Sequence, residues 1–223
     1  MLLQEKLDAF TDGLLESGAI PKDIVEILFK ATSDLVASNE AEKALKAGQP
    51  APSFTLKDAD GNVIDSKKLL ASGPLVVTFY RGVWCPYCNI DLEALEAARP
   101  LIEAKGASLV ALSMQNAPNS RRSMRENGLG FPILVDKHGT VADAFGLRFK
   151  LSTAVVKVYR NVLKNDIEAF NDDTSWSLPM PARYVIAQDG AIAYAEVNPD
   201  FTRRPDPSEL FPVLDQLART RAA

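Results

Sequence analysis

The feature that most restricts the fold is a short apolar run at residues 75–80, Leu-Val-Val-Thr-Phe-Tyr, that leads almost directly into Cys85-Pro86-Tyr87-Cys88. The run is of strand length and rich in β-branched and aromatic side chains, as a buried central strand requires. After the cysteines, Leu92, Leu95, Ala98 and Ile102 recur at helical spacing up to Gly106, with Pro100 predicting a kink or a broken turn. Strand, cysteine motif and helix in that order imply a βαβ core. Residues 108–113 and 133–135 read as further buried strands, separated by a polar helical stretch at 119–127 that Gly128 closes.

The remaining segments arrange themselves around this core. Leu3, Leu7, Phe10 and Leu14 make the stripe of an amphipathic helix that Gly18 ends, and Pro21 opens a second one carrying Ile24, Ile27, Leu28, Ala31 and Leu35. Gln49-Pro50-Ala51-Pro52 is a rigid connector, so residues 1–47 form a helical extension and 48–223 the catalytic domain. Asp58-Ala59-Asp60-Gly61 and Gln188-Asp189-Gly190 each mark a hairpin turn. A helix is predicted over 153–164. Asp206-Pro207-Ser208-Glu209 caps a closing helix bearing Leu210, Leu214 and Leu217.

The chain of 223 residues carries a net charge of -4. That balance disfavours nucleic acid as a partner, which would need clustered Lys and Arg. Apolar and charged residues alternate at the start, unlike a signal peptide, and no stretch is long and apolar enough for a membrane span, so a cytoplasmic location is expected. A reducing compartment makes a cysteine pair catalytic or metal-binding more often than structural. Zinc needs about four ligands, and His138 is the only other soft one, so no metal is expected. No phosphate-binding glycine loop or nucleophilic-serine signature is present, and no organic cofactor is expected.

What remains is thiol chemistry. A thiol is a nucleophile as thiolate, and the amides at a helix start lower its pKa to between about 3.5 and 7.5 in known sites. Cysteines three apart lie one helical turn from each other, so that an oxidised first sulfur can be captured by the second. Arg81 stands ready to place positive charge beside a thiolate or to pair with a carboxylate. Trp84 and Tyr87 would wall the site. His138, in Asp136-Lys137-His138-Gly139, reads as a surface turn residue, while Tyr80 and Trp176 read as packing.

The segment Phe79-Tyr80-Arg81-Gly82-Val83-Trp84-Cys85-Pro86-Tyr87-Cys88, followed by Asp91-Leu92, resembles the peroxiredoxin active-site segment without a gap. Residues 52–56, residues 131–136 with Gly139, Val141, Ala142, Phe145 and Gly146, and residues 183–186 carry the likeness along the chain from about Gly48 onward. By that resemblance Cys88 is the peroxidatic cysteine and Arg183 the arginine that steadies its thiolate. Two positions depart from the family: Arg81 stands where it has Pro, and Cys85 where it has Thr or Ser. Trp84 to Cys88 is also similar to the thioredoxin motif Trp-Cys-x-x-Cys, and Pro181 to the cis-Pro that faces it. That likeness makes Cys85 the attacking sulfur. A place nearer the helix start also favours Cys85, whereas the gapless match and Arg183 favour Cys88, which is the expected nucleophile.

The resemblances imply an α/β thioredoxin-like fold, a mixed central sheet flanked by helices, behind a two-helix extension. They imply reduction of hydrogen peroxide or organic hydroperoxides through a sulfenic acid and a Cys85-Cys88 disulfide, reset by a thioredoxin-type protein or a small thiol. Dithiol-disulfide exchange on protein disulfides is the alternative. A redox-sensing role for the N-terminal helices is a third, although such helices more often close a homodimer or cover a sheet edge.

Overall fold

Leu75–Phe79 is a strand with every residue buried, and such a strand must have neighbours on both edges and cover on both faces. In the computed structural model, which describes residues 1–222, it does. The helices are α1 (Leu3–Ser17), α2 (Lys22–Ala37), α3 (Ser66–Ser72), α4 (Pro86–Ala104), α5 (Ala117–Glu126), α6 (Thr140–Ala144), α7 (Thr153–Asn161), α8 (Ile167–Asn171) and α9 (Leu210–Ala222). The strands are β1 (Thr55–Lys57), β2 (Val63–Asp65), β3 (Leu75–Phe79), β4 (Ser108–Ser113), β5 (Ile133–Val135), β6 (Arg148–Lys150), β7 (Ser177–Pro179), β8 (Ala182–Ile186) and β9 (Ile192–Val197).

The main sheet has the order β5-β4-β3-β8-β9. β4 runs parallel to both β3 and β5, whereas β8 is antiparallel to both β3 and β9. The sheet is therefore mixed, as expected. β1-β2 and β6-β7 form two separate antiparallel pairs.

Side-chain alternation along β3 divides the core in two. Leu75, Val77 and Phe79 face a cluster with Val110, Leu112, Phe145, Leu147 and Tyr184. Val76 and Tyr80 face the other cluster, with Leu92, Leu95 and Ile102 of α4, Leu210 and Leu214 of α9, and Leu3 and Leu7 of α1. Both cysteines belong to this second cluster. A third cluster joins α7 to α2, with Val155, Val158 and Tyr159 meeting Ile24, Ile27, Leu28 and Ala31. The two N-terminal helices thus pack on the helices that surround the cysteine motif.

Several expectations need correction. α4 runs through Pro100 without a break. Proline removes one hydrogen bond to Glu96, but Leu92, Leu95 and Ile102 are fully buried on either side of it and hold the helix. α5 starts at Ala117, because the Asn116 side chain accepts from the Asn119 N–H and Pro118 lies in the first turn. α7 stops at Asn161, ahead of Lys164 with its positive φ of 55°. All peptide bonds among the described residues are trans, that before Pro181 included.

Candidate active site

β3 delivers the chain to the site and α4 carries it away. Cys85 is the N-cap of α4 and Pro86 its first helical residue, the position where a missing N–H costs nothing. Between strand and helix, the loop is fixed by buried polar groups. The Val83 N–H donates to Gln115 Oε1 at 2.9 Å, and Gln115 Nε2 donates to the Tyr80 hydroxyl at 2.6 Å and to Ser123 Oγ at 3.1 Å. Asn89 Nδ2 donates to the Val83 carbonyl at 2.8 Å. Gly82 has a φ of 152°, and a Cβ there would lie 2.5 Å from Trp84 Nε1, so only glycine lets the indole lie against this loop.

The two sulfurs are neighbours with different surroundings. Cys88 Sγ donates to Cys85 Sγ at 3.0 Å. Arg81, itself buried, places Nη1 4.0 Å from Cys85 Sγ. Its guanidinium also donates to the Tyr159 hydroxyl and lies 4.9 Å from the ring of Trp84 and 4.5 Å from that of Phe201. Burial pushes the Cys85 thiol up, but the Cys88 S–H, Arg81, Arg204 and the Cys88 backbone N–H together pull it down to about 6. Burial and the adjoining Cys85 thiolate raise Cys88 well above its ordinary value, against the opposing charges of Arg204 and Arg81. One proton thus leaves the pair readily, and the second stays on Cys88.

Access follows the same asymmetry. Cys85 lies at the floor of a cavity of about 100 Å³ that Cys88 does not reach. Its walls are Arg81, Trp84, Tyr87 and Tyr159 from the catalytic unit; its roof is Leu14 and Leu15 of α1 with Leu28 and Phe29 of α2. Tyr87 is tied to α1 through Thr11, their hydroxyls 3.0 Å apart, and stacks edge-on against Phe10 and Phe201. The residues expected around the cysteines from the motif itself, Arg81, Trp84 and Tyr87, are therefore all present at the site.

Two expected residues lie elsewhere. Arg183 is fully buried but spends its guanidinium on Asp91 and on the Pro205 carbonyl, the latter at 2.9 Å, rather than on a sulfur. The arginine that touches Cys88 is Arg204, whose Nη2 donates to Sγ at 3.3 Å. Pro181 lines, with Arg81, Tyr159 and Phe201, a second cavity of about 40 Å³ and does not line the main one. Arg204, Tyr159 and Gln115 carry no signal in the sequence that sets them apart from other polar residues. His138 is an exposed turn residue at φ 61° whose Nδ1 is 2.6 Å from Asp173. Trp176 packs near α7 and donates to Glu168 at 2.6 Å.

Residues 47–195 match the model of the AhpC/TSA family. The chain belongs to the AhpC/TSA family. Among curated proteins, this AhpC/TSA chain is 29% identical over 127 residues to the thiol-disulfide oxidoreductase ResA of Halalkalibacterium halodurans, covering 56% of the chain and 70% of ResA. It is 32% identical over 109 residues to the thioredoxin-like protein YneN of Bacillus subtilis, spanning 47% of the chain and 62% of YneN. Among solved structures it resembles the peroxidoxin BcpB of Mycobacterium tuberculosis, with a TM-score of 0.60 at 20% identity over 77% of this chain and 97% of that one. A peroxiredoxin 6 of Arenicola marina matches with a TM-score of 0.61 at 19% identity, covering 79% and 75%. The fold is thioredoxin-like and the protein is a redox enzyme acting through thiols. No helix among the described residues is long and apolar enough to cross a membrane.

Proposed function

We propose that this protein is a thiol peroxidase whose attacking sulfur is Cys85, with Cys88 as its resolving partner. The observation that carries the reading is the position of Cys85 at the floor of a cavity of about 100 Å³ under α1 and α2. A hydroperoxide fits it, and a folded protein presenting a disulfide does not. The order of the two cysteines is the reverse of the one the gapless sequence match favours, since the open cavity, the helix N-terminus and Arg81 all attend Cys85.

The reaction follows from these groups. The Cys85 thiolate attacks the terminal peroxide oxygen, the O–O bond breaks, and the leaving oxygen takes its electron pair and a proton to depart as water or alcohol. Arg81 is placed to steady the thiolate and the charge developing on the leaving oxygen. The resulting sulfenic acid condenses with the Cys88 thiol, forming the S–S bond and releasing water. Two equivalents of an external thiol, or one dithiol, then restore the pair and leave as a disulfide, and a small thiol has easier entry to the cavity than a thioredoxin-type protein. The apolar roof favours organic hydroperoxides over hydrogen peroxide.

The names of the curated relatives favour a second reading, exchange with protein disulfides, which would require the roof to open. Stopped-flow oxidation of the reduced protein by hydrogen peroxide and by cumene hydroperoxide, with Cys85→Ser and Cys88→Ser alongside, tests the first. Fast oxidation that survives in Cys88→Ser and disappears in Cys85→Ser is the expected result. Oxidation no faster than that of a free thiol with both peroxides, together with rapid reduction of insulin disulfides, would hand the function to the second reading.

A further inference from the structure

Arg204 is held where a charge on Cys88 would be useful. It lies in the loop between β9 and α9, and its side chain is 3% exposed. Nη1 donates to the carbonyls of Phe201 at 2.9 Å and Arg203 at 2.6 Å, Nε is 3.3 Å from Asp91 Oδ2, and Nη2 is left to the Cys88 sulfur at 3.3 Å. Three anchors fix the planar group before any chemistry begins.

The charge count makes the arrangement purposeful. Asp91 is shared between Arg183 and Arg204, all three side chains at most 3% exposed. One carboxylate against two guanidinium groups leaves an excess of positive charge among the fully buried groups, offset only by Glu196 and Asp206 on the more exposed side of Arg183, and buried charge is costly where its counter-charge is incomplete. The atom beside that excess is Cys88 Sγ. In the reduced state, however, the thiolate is on Cys85, next to its own cation, Arg81. Arg204 is thus poised for a state in which the negative charge has moved to Cys88.

That state arises when the disulfide is opened. We propose that Arg204 is a catalytic residue of the reductive half-cycle, receiving the Cys88 thiolate that leaves when an incoming thiolate attacks Cys85. The attacker, one sulfur of a dithiol, bonds to Cys85 Sγ, the only sulfur facing the cavity; the Cys85-Cys88 bond breaks, and its electron pair goes to Cys88 Sγ beside Arg204. The second thiol of the dithiol then loses its proton and attacks its own partner in the mixed disulfide, which releases the Cys85 thiolate to Arg81. Cys88 takes up one proton and becomes again the S–H that bonds Cys85. The dithiol ends as a disulfide, having supplied two electrons. A better-stabilised leaving thiolate departs faster, so Arg204 sets both the direction and the speed of reopening. The inference rests on the Cys85-Cys88 disulfide of the proposed cycle and not on which oxidant forms it.

The test uses no peroxide, so that a protein inert to peroxides leaves it readable. The full-length protein is oxidised with diamide, and its reduction by dithiothreitol is followed by tryptophan fluorescence in the parent, Arg204→Met and Arg204→Lys. In a Cys85→Ser background, the remaining Cys88 thiol is titrated by its thiolate absorbance in the same variants. Arg204→Met is expected to slow reduction on the order of three- to tenfold and to raise the Cys88 midpoint by about one unit or more. Arg204→Lys should recover part of both. Should Arg204→Met fail to fold by circular dichroism, Arg204→Gln, which keeps a donor and loses the charge, is read in its place. A reduction rate and a Cys88 midpoint that match the parent in the charge-removing variant would overturn the proposal.

Discussion

At the scale of single residues, two chemically identical thiols are made unequal by what stands one side chain away. Cys85 has Arg81 and the first amides of α4 and faces the cavity; Cys88 has the Cys85 sulfur, Arg204 and no access. The Cys85 thiol at about 6 makes alkylation a direct readout, because only the thiolate reacts. Reaction of Cys85 with iodoacetamide, mapped by mass spectrometry, should rise through a midpoint near that pH and level off above it, while Cys88 stays unmodified through neutrality. Arg81→Met removes the cation 4.0 Å from the sulfur and should move the midpoint up by about one unit. A midpoint at about 8.5, the ordinary cysteine value, in the unmodified protein would rule out a prepared thiolate. Arg81, Trp84 and Tyr87 were legible because they sit inside the motif whose spacing betrays it. Arg204 was not, because it lies 116 positions from Cys88 in a loop with no periodicity to mark its face, and Arg183 occupies the resembling position while its charge is directed to Asp91.

Among the elements, legibility tracked how far local pattern alone decides structure. β3 is apolar but for Thr78 and α4 and α9 have strong apolar stripes, so their order and type could be read. The short α3 and α8 and the β6-β7 pair depend on contacts from distant parts of the chain and could not. The extension was legible as two amphipathic helices, but not as a roof over the cysteines. Its helices are held unequally. Leu3 and Leu7 bury α1 in the core, the Leu3 N–H donates to Asp206 at 3.0 Å, and Gln4 accepts from the Arg204 N–H at 3.1 Å. α2 has no buried residue and leans on α7 through half-buried Ile24, Ile27 and Leu28. A helix with little buried surface opens locally at low cost. Native-state hydrogen exchange should therefore find the amides of α2 opening at least about 2 kcal/mol more easily than those of α4, with α1 between them. Equal protection in α2 and α4 would mean that the roof is rigid, and a protein reductant would then have no route to Cys85.

Over the whole molecule, the buried Asp91 joins parts that are far apart in the chain. It lies on α4, Arg183 on β8 and Arg204 in the loop that closes against α1, and the same loop accepts the Leu3 N–H through Asp206 and its own Thr202 carbonyl takes a bond from Gln4 at 3.3 Å. Sheet and active-site helix thus meet at one carboxylate, and the loop that carries Arg204 ties the N-terminal helix to them. Such a network is a poor source of net stability compared with an apolar core of the same volume, because three charges have been taken out of water. Its removal by halves is another matter. Asp91→Asn keeps the shape and deletes the negative charge that is hydrogen-bonded to Arg183 and in ion-pair contact with Arg204, leaving two guanidinium groups facing the same neutral side chain in a medium of low polarisability. Breaking a buried pair in this way costs about 3–5 kcal/mol, and urea denaturation should show a loss of that order with the slope of the transition unchanged. The double variant Asp91→Asn/Arg183→Met, which restores the balance to a single cation, should be less destabilised than the sum of its parts, since the second substitution removes a repulsion the first created. Additive losses would show instead that Asp91 and Arg183 are not coupled, and that the carboxylate does not hold the two arginines together as one unit.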